Sequence, residues 1–294
     1  KKIQNKQMRS EAEIKALIIS VATNDNRIRS VLLNGSRANP NITPDRYQDF
    51  DVVFIVNDVK SFTSNHGWTN IFGEVIIRQL PDEMTIGTPD PYGFGYLMLL
   101  KDGNRIDLTL YPIDKIQRNF WPDSLTVCWL DKDNLFPSLP LSNDSDYYTK
   151  RPSAKEFHDT CNEFWWVSTY VAKGLLRNEI TYAKEMLEVS VRPMFMKLIE
   201  WKIGSENEFA VSFGKAGKLM SRFLARDFYA EVLKTYSDAE TENNWTALFK
   251  MTELVEQISS EVSVRLNFQI DKSEQLNTIG YLRQLYVNRK TSGE

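Results

Sequence analysis

Cysteine is scarce. Among 294 residues there are two, Cys128 and Cys161, far apart and in neither a CxxC nor a zinc-binding spacing. That excludes a disulfide-stapled scaffold and predicts two buried, reduced thiols. Histidine is as rare: His66 and His158 form no paired arrangement, so a zinc centre has no ligand set to draw on. No apolar run approaches the ~18 residues of a membrane span, and the polar stretch Lys1 to Ser10 carries no apolar signal segment. A soluble, cytoplasmic protein with no membrane partner is therefore expected. Positive charge is not in excess either, with 36 Lys and Arg against 39 Asp and Glu for a net charge of -3. A protein that neutralises the phosphates of a duplex needs the opposite balance, so no nucleic-acid partner is expected and a small or cationic ligand fits better.

What is present suffices for two domains with real cores: 42% hydrophobic residues, 12% aromatic, seven of them Trp. From about Ile28 to Leu130 the apolar residues come in short β-rich runs at Arg27–Leu33, Asp51–Val56, Glu74–Gln79, Gly95–Lys101, Arg105–Tyr111 and Leu125–Leu130. Asp102-Gly103-Asn104 marks a hairpin between two of them. Ser10 and Glu13 form a capping box for a helix over Glu11–Thr23, and a short helix is expected near Pro112–Asn119. Strands with helices packed on them predict an α/β (α+β) domain with a mixed sheet over residues 1–136. The stretch 137–151, rich in Pro, Ser, Asn and Asp, reads as a linker. Beyond it, residues 152–294 read as all-α. Ser153 and Glu156 cap a helix reaching about Arg177. Asn178 is expected to cap the next, which Pro193 should kink or shift in register. Further helices are expected at Lys215–Leu224, Asp227–Tyr236, Thr241–Leu266 and Ser273–Tyr286, before a frayed tail at Asn288–Glu294. Helical surfaces after Gly204 could pair, but no heptad seam is clear, so the sequence leaves the oligomeric state open and leans to a monomer.

Three short segments carry chemistry. Leu33-Asn34-Gly35-Ser36-Arg37 ends a strand in a small turn whose N–H groups and hydroxyl can approach a phosphate, with Arg37 as a further phosphate candidate or an ion-pair partner. About a dozen residues later, Gln48-Asp49-Phe50-Asp51 opens the next strand. Asp49 and Asp51, two apart, point to one face, and two adjacent carboxylates resist ionising without a compensating cation. Mg²⁺ supplies that cation with a preference for oxygen ligands. Finally, Asp107 interrupts the apolar run Arg105–Leu110, a costly placement unless the acid is paired or metal-bound.

A strand, Gly-Ser, a dozen residues, Asp-x-Asp on a second strand and a later strand-borne Asp together resemble the polymerase-β-like nucleotidyltransferase superfamily. A closer resemblance, from about Met8 to Tyr286, is to bacterial aminoglycoside 6-adenylyltransferases, the streptomycin-modifying enzymes. It is carried by Met8-Arg9-Ser10-Glu11, Asn34-Gly35-Ser36-Arg37, Tyr47-Gln48-Asp49-Phe50-Asp51, the run Asp102 to Leu110, Leu130-Asp131-Lys132-Asp133 and Lys150-Arg151-Pro152. Cys161 to Trp165, Val167 to Val171, Lys173-Gly174-Leu175 and Arg177 to Ile180 extend it; it is looser over Pro81–Phe94 and after Gly204. The resemblance implies a nucleotidyltransferase domain followed by a helical domain, with ATP and a cationic aminoglycoside bound between them. It also implies Met8 as the natural start, with Lys1–Gln7 an upstream extension.

Nucleotidyl transfer holds an α-phosphate in line between a hydroxyl and departing pyrophosphate, with metal ions offsetting the developing charge. On this reading Gly35 and Ser36 hold the β and γ phosphates, Asp49 and Asp51 hold Mg²⁺, and Asp107 completes a second metal position, takes the hydroxyl's proton, or both. The helix that starts at Ser153 adds a second stripe. Asp159, Glu163, Trp166, Tyr170 and Lys173 share one face, about 20 Å long, opposite the apolar residues Phe157, Phe164, Val167 and Val171. Lys173 and Tyr170 are expected on the ATP side, with Lys173 at the phosphates. Asp159, Glu163 and Trp166 are expected to meet the drug's cations. Glu83, with Asp82, is a candidate to add acid to the drug pocket or else lies on an exposed loop. The competing readings are transfer to another small molecule, a protein side chain or a nucleotide end, and a catalytically silent binding module. The full set Gly35, Ser36, Asp49, Asp51 and Asp107 weighs against the last.

Overall fold

The computed structural model describes residues 7–116 and 122–292, which divide into two compact units, Lys1–Asp146 and Tyr147–Glu294. The extension expected at Lys1–Gln7 thus falls, but for Gln7, outside the described residues.

The first unit opens with helix α1 (Glu11–Asn24), started by the expected capping box: Ser10 Oγ accepts from the Glu13 N–H, and the Glu13 carboxylate accepts from the Ser10 N–H at 2.7 Å. Its face of Ile14, Ile18 and Ala22 is fully buried. Then come β1 (Ile28–Asn34), β2 (Phe50–Val56), the single turn α2 (Lys60–Thr63), β3 (Val75–Gln79), β4 (Phe94–Leu100), β5 (Arg105–Pro112) and β6 (Thr126–Asp131). They form one six-stranded sheet in the order β3-β4-β5-β2-β1-β6, antiparallel throughout except for the parallel pair β2–β5. The β4–β5 hairpin turns at Gly103, whose φ of 89° suits glycine and whose N–H donates to the Leu100 carbonyl at 2.9 Å. The helix expected near Pro112–Asn119 is instead a 3-10 turn, Ile113–Lys115; residues 117–119 lie outside the described set.

Strand β2 is buried on both faces, as a central strand must be. Val52, Phe54 and Val56 enter the larger core with α1, while Val53 and Ile55 join Leu32, Tyr111, Ile116 and Phe136 in a smaller core on the other face. That alternation fixes the side to which the acids point. Asp51 has the parity of Val53 and Ile55, and Asp107 that of Tyr111, so both project on the face of the smaller core, at its end.

The second unit is helical: α3 (Ala154–Leu176), α4 (Ile180–Glu185), α5 (Arg192–Glu206), α6 (Arg226–Leu233), α7 (Thr241–Leu266) and α8 (Lys272–Ser292). Ser153 and Glu156 cap α3 reciprocally. Phe157, Phe164, Val167 and Val171 of α3 share a core with Phe195, Leu198 and Ile199 of α5 and Trp245, Leu248 and Val255 of α7.

Three expectations are corrected here. Asn178 does not cap α4. It takes a left-handed φ of 57° just past the end of α3, where the Glu179 N–H reaches back to the Gly174 carbonyl at 2.8 Å, a helix-ending motif. Lys215–Leu224 is not a helix but two 3-10 turns, because Gly214, Ala216 and Gly217 all take positive φ. The tail read as frayed continues as α8 to Ser292. Pro193 does shift the helix before it: Met186–Val191 is a wide π-helical turn that ends two residues short of the proline.

Candidate active site

The C-terminal end of β1 and the N-terminal ends of β2 and β5 meet side by side. In the registers of these strands Asn34 lies opposite Asp51, and Asp51 opposite Asp107. Gly35 follows Asn34 in a 3-10 turn, Gly35–Ala38, at φ 73°. A side chain on Gly35 has nowhere to go, since a Cβ built there falls 2.2 Å from Oδ2 of Asp51. The glycine therefore brings backbone and carboxylate into direct contact, bringing the Gly-Ser turn, Asp51 and Asp107 to one place.

The strand entry that presents Asp49 is braced from below by Arg37. Its side chain is 6% exposed. Nε donates to the Asp49 carbonyl at 3.1 Å, Nη2 to the Gln48 carbonyl at 2.7 Å and Nη1 to the Glu11 carboxylate at 2.8 Å. The guanidinium also stacks 3.9 Å from the Phe50 ring centroid. Gln48 closes the frame, with Nε2 donating to the Ser36 carbonyl at 3.1 Å. So Arg37, read from sequence as a phosphate candidate or ion-pair partner, takes the second of those parts.

Arg105 faces the acids, and the sequence reading did not single it out. Its Nε and Nη2 donate to the two oxygens of Asp107 at 2.8 and 2.7 Å, and Nη1 lies 3.6 Å from Asp49 Oδ2. The Asp107 hydrogen bonds lead in holding the guanidinium above an arginine's ordinary range. Partial burial opposes them, and the fields of Asp107, Asp49 and Asp51 add to them. Among the described residues no group of three His, Cys, Asp or Glu side chains is closed round a common point as it stands; here the arginine bridges two of the acids. The signal was available in the sequence: Arg105 and Asp107 are two apart on one strand and so share a face.

Glu83 sits in the 3-10 turn Pro81–Glu83 before β4, with Oε1 3.1 Å from His66 Nε2. His66 in turn stacks on Phe94 and lies 3.0 Å from the Tyr96 hydroxyl. Asp82 accepts from the N–H groups of Asp90 and Gly95 at 2.7 and 2.6 Å, which closes the loop on itself.

In the second unit the C-terminal half of the α3 stripe is connected. The Trp166 Nε1–H donates to the Tyr170 hydroxyl at 2.8 Å, and Lys173 Nζ lies 5.6 Å from the Tyr170 ring centroid. Trp166 is 61% exposed, an unusual placement for so large an apolar ring. Asp159 is exposed and pairs with Lys155 at 2.5 Å, and Glu163 is exposed one turn further on. A cavity of about 590 Å³ in the same unit escaped the sequence reading. Its lining includes Tyr147, Arg192, Lys197, Glu200, Lys215 and Tyr236. Arg192 is a buried brace within it, paired with Glu188, donating to Thr235 and stacked 3.7 Å from the Tyr236 centroid. The lining comes from separate helices and from the glycine turn misread as a helix, so no local pattern announces it.

Comparison with known proteins adds the following. A family model described as streptomycin adenylyltransferase matches residues 8–285. An aminoglycoside 6-adenylyltransferase of Bacillus subtilis (strain 168) is 42% identical over 89% of this chain and 93% of its own length. One of Campylobacter jejuni is 40% identical over 89% and 91%, and one of Staphylococcus aureus 36% identical over 96% and 100%.

Proposed function

The chain belongs to the streptomycin adenylyltransferase family, and on that footing we propose that it moves AMP from ATP onto a hydroxyl of a cationic aminoglycoside such as streptomycin, inactivating the antibiotic. The activity is that of a nucleotidyltransferase, and the readings as a silent binding module or as an enzyme for an unrelated acceptor lose their support. The observation that carries the mechanism is the meeting of Gly35, Asp51 and Asp107 at adjacent strand ends, with Gly35 leaving no room for any side chain but the aspartate's.

Though the site's acids are not gathered round one point as they stand, the donor set suits a magnesium ion. The three carboxylates offer the hard oxygen donors Mg²⁺ takes, and the glycine keeps the Asp51 carboxylate against the phosphate-facing turn. Asp49, Asp51 and Asp107 would hold it, and when bound it supplies positive charge to the phosphate oxygens as the bond to pyrophosphate breaks. The chain's own residues do the rest. Backbone N–H groups at Gly35 and Ser36, with the Ser36 hydroxyl, bind the β and γ phosphates. Arg37 and Gln48 act as positioning residues that fix the turn against the Asp49 entry. Asp107 accepts the proton of the attacking hydroxyl.

Lys173, next to Tyr170, contributes a compact positive charge toward the triphosphate. Asp159 and Glu163 draw the ammonium and guanidinium groups of the drug, and exposed Trp166 offers those cations a ring face. Glu83, held 3.1 Å from His66 Nε2, adds acid to the drug side. The cavity beneath Tyr147 and Tyr236 has a volume in the range of small-molecule sites and gives the second unit room for part of a ligand.

Mass spectrometry of streptomycin after incubation with the protein, ATP and Mg²⁺ tests the proposal. A product heavier by one AMP residue, with equimolar pyrophosphate, is expected. Unmodified drug with intact ATP would overturn it.

A further inference from the structure

The acids on β2 and β5 come with a cation of their own. Arg105 grips Asp107 fork to fork at 2.8 and 2.7 Å and places Nη1 3.6 Å from Asp49. Planar guanidinium and carboxylate match in this geometry, which makes the pair stronger and more directional than a point-charge contact. The burial is uneven: the Asp107 side chain is 19% exposed, whereas the Arg105 side chain is 44% exposed. The arginine thus reaches the acids from the solvent side and can swing away without uncovering core, while Asp107 stays fixed in β5 and Asp49 at the entry to β2. Neighbouring carboxylates repel, and a cation held between them offsets that repulsion.

From this we propose that Arg105 is a displaceable placeholder. It neutralises the acid pair while metal and nucleotide are absent, and it is exchanged for the metal when they arrive. The inference rests on the assignment of Asp49, Asp51 and Asp107 as metal carboxylates. Its consequence is that the free protein binds metal less tightly than its carboxylates alone allow, because each binding event must first break the Arg105–Asp107 fork. Metal then enters readily only together with a triphosphate, which gives the released guanidinium another anion to face.

The test is titration of nucleotide-free protein with Mn²⁺, followed by electron paramagnetic resonance, for wild type, Arg105→Gln, Arg105→Lys and Asp51→Asn. Arg105→Gln should bind Mn²⁺ about two- to tenfold more tightly than wild type, the range a partly exposed forked ion pair can impose. Its melting temperature without metal should be lower than that of wild type, with the gap closing as Mn²⁺ is added. Arg105→Lys, which keeps the charge but loses the fork, should fall between the two. Unchanged or weaker Mn²⁺ binding by Arg105→Gln overturns the placeholder; should that variant fail to fold, unchanged or weaker binding by Arg105→Lys does so. Binding by Asp51→Asn equal to that of wild type, or no binding by any of the four proteins, overturns the metal assignment and the placeholder with it.

Discussion

Replacing Gly35 by alanine perturbs two quantities that the geometry separates. The first is backbone strain: at φ 73° an alanine costs about 1 kcal/mol more than glycine. The second is collision. The new Cβ lies 2.2 Å from Oδ2 and 3.0 Å from Cγ of Asp51, so the carboxylate must retreat by about 1 Å to reach an ordinary carbon–oxygen contact. A misplacement of that size in a reacting site costs about a hundredfold in rate, whereas 1 kcal/mol of strain lowers the melting temperature by about 2–4 °C. Gly35→Ala should therefore fold, melt slightly early and lose about two orders of magnitude in kcat for drug-dependent pyrophosphate release. Gly103→Ala is the matched control. Its φ of 89° imposes similar strain, but the nearest atom to the added Cβ is Met8 Cε at 3.7 Å. That variant should melt early and keep its kcat. If Gly35→Ala retains kcat within about threefold of wild type, or if Gly103→Ala loses as much, the coupling of glycine and carboxylate is wrong.

Three further outcomes follow from the same structure. Lys173→Ala should raise the KM for ATP about tenfold, the worth of one charge-assisted phosphate contact, with kcat changed far less; an unaltered KM rejects the Lys173 assignment. Burial opposes the charge of Asp102, but the hydrogen bonds from Arg9 and Asn104 outweigh it and hold the carboxyl below its usual range. A depressed carboxyl adds stability above its unfolded value near 4 and loses it as pH falls through the folded value. Asp102→Asn should thus cost about 1–3 kcal/mol at pH 7, and the gap in melting temperature should shrink below about pH 4; a gap constant down to acid would refute it. Burial, with the charge of Glu274 behind it, pushes the Cys161 thiol up to about 12, so iodoacetamide at pH 8 should alkylate it at least about a hundredfold more slowly in native than in unfolded protein. Equal rates, read by peptide mass spectrometry, would contradict that burial.

The sheet was legible because its runs are short, apolar and bounded by turn residues: each of the six expected runs matches a strand to within a residue or two at its ends. Helix α7 spans the residues its periodicity predicts, and both Ser-x-x-Glu boxes cap as read. The errors share a cause. Lys215–Leu224 has helical spacing, but Gly214 and Gly217 impose a backbone that spacing does not report. Asn178 has the chemistry of an N-cap and of a left-handed helix end alike, and the neighbouring Gly174 carbonyl decides between them. At the candidate site, the strand-end positions of the Gly-Ser turn, Asp51 and Asp107 were readable because the flanking apolar runs mark where the strands begin and end. The partners were not. The carbonyls under Arg37 and the imidazole beside Glu83 are brought there by tertiary pairing, which a single chain of letters does not encode locally.

A parallel pair of strands cannot be joined by a tight turn. β2 and β5 therefore become neighbours after the chain between them, including the β3–β4 hairpin, has been laid aside, and the entropy of closing that loop is spent late. Until that moment Asp51 and Asp107 are separate, hydrated and indifferent to one another. The strand that ends their isolation delivers Arg105 on the same edge, so repulsion and its remedy arrive together. A chain that has not yet added β5 lacks Asp107 and Arg105 together.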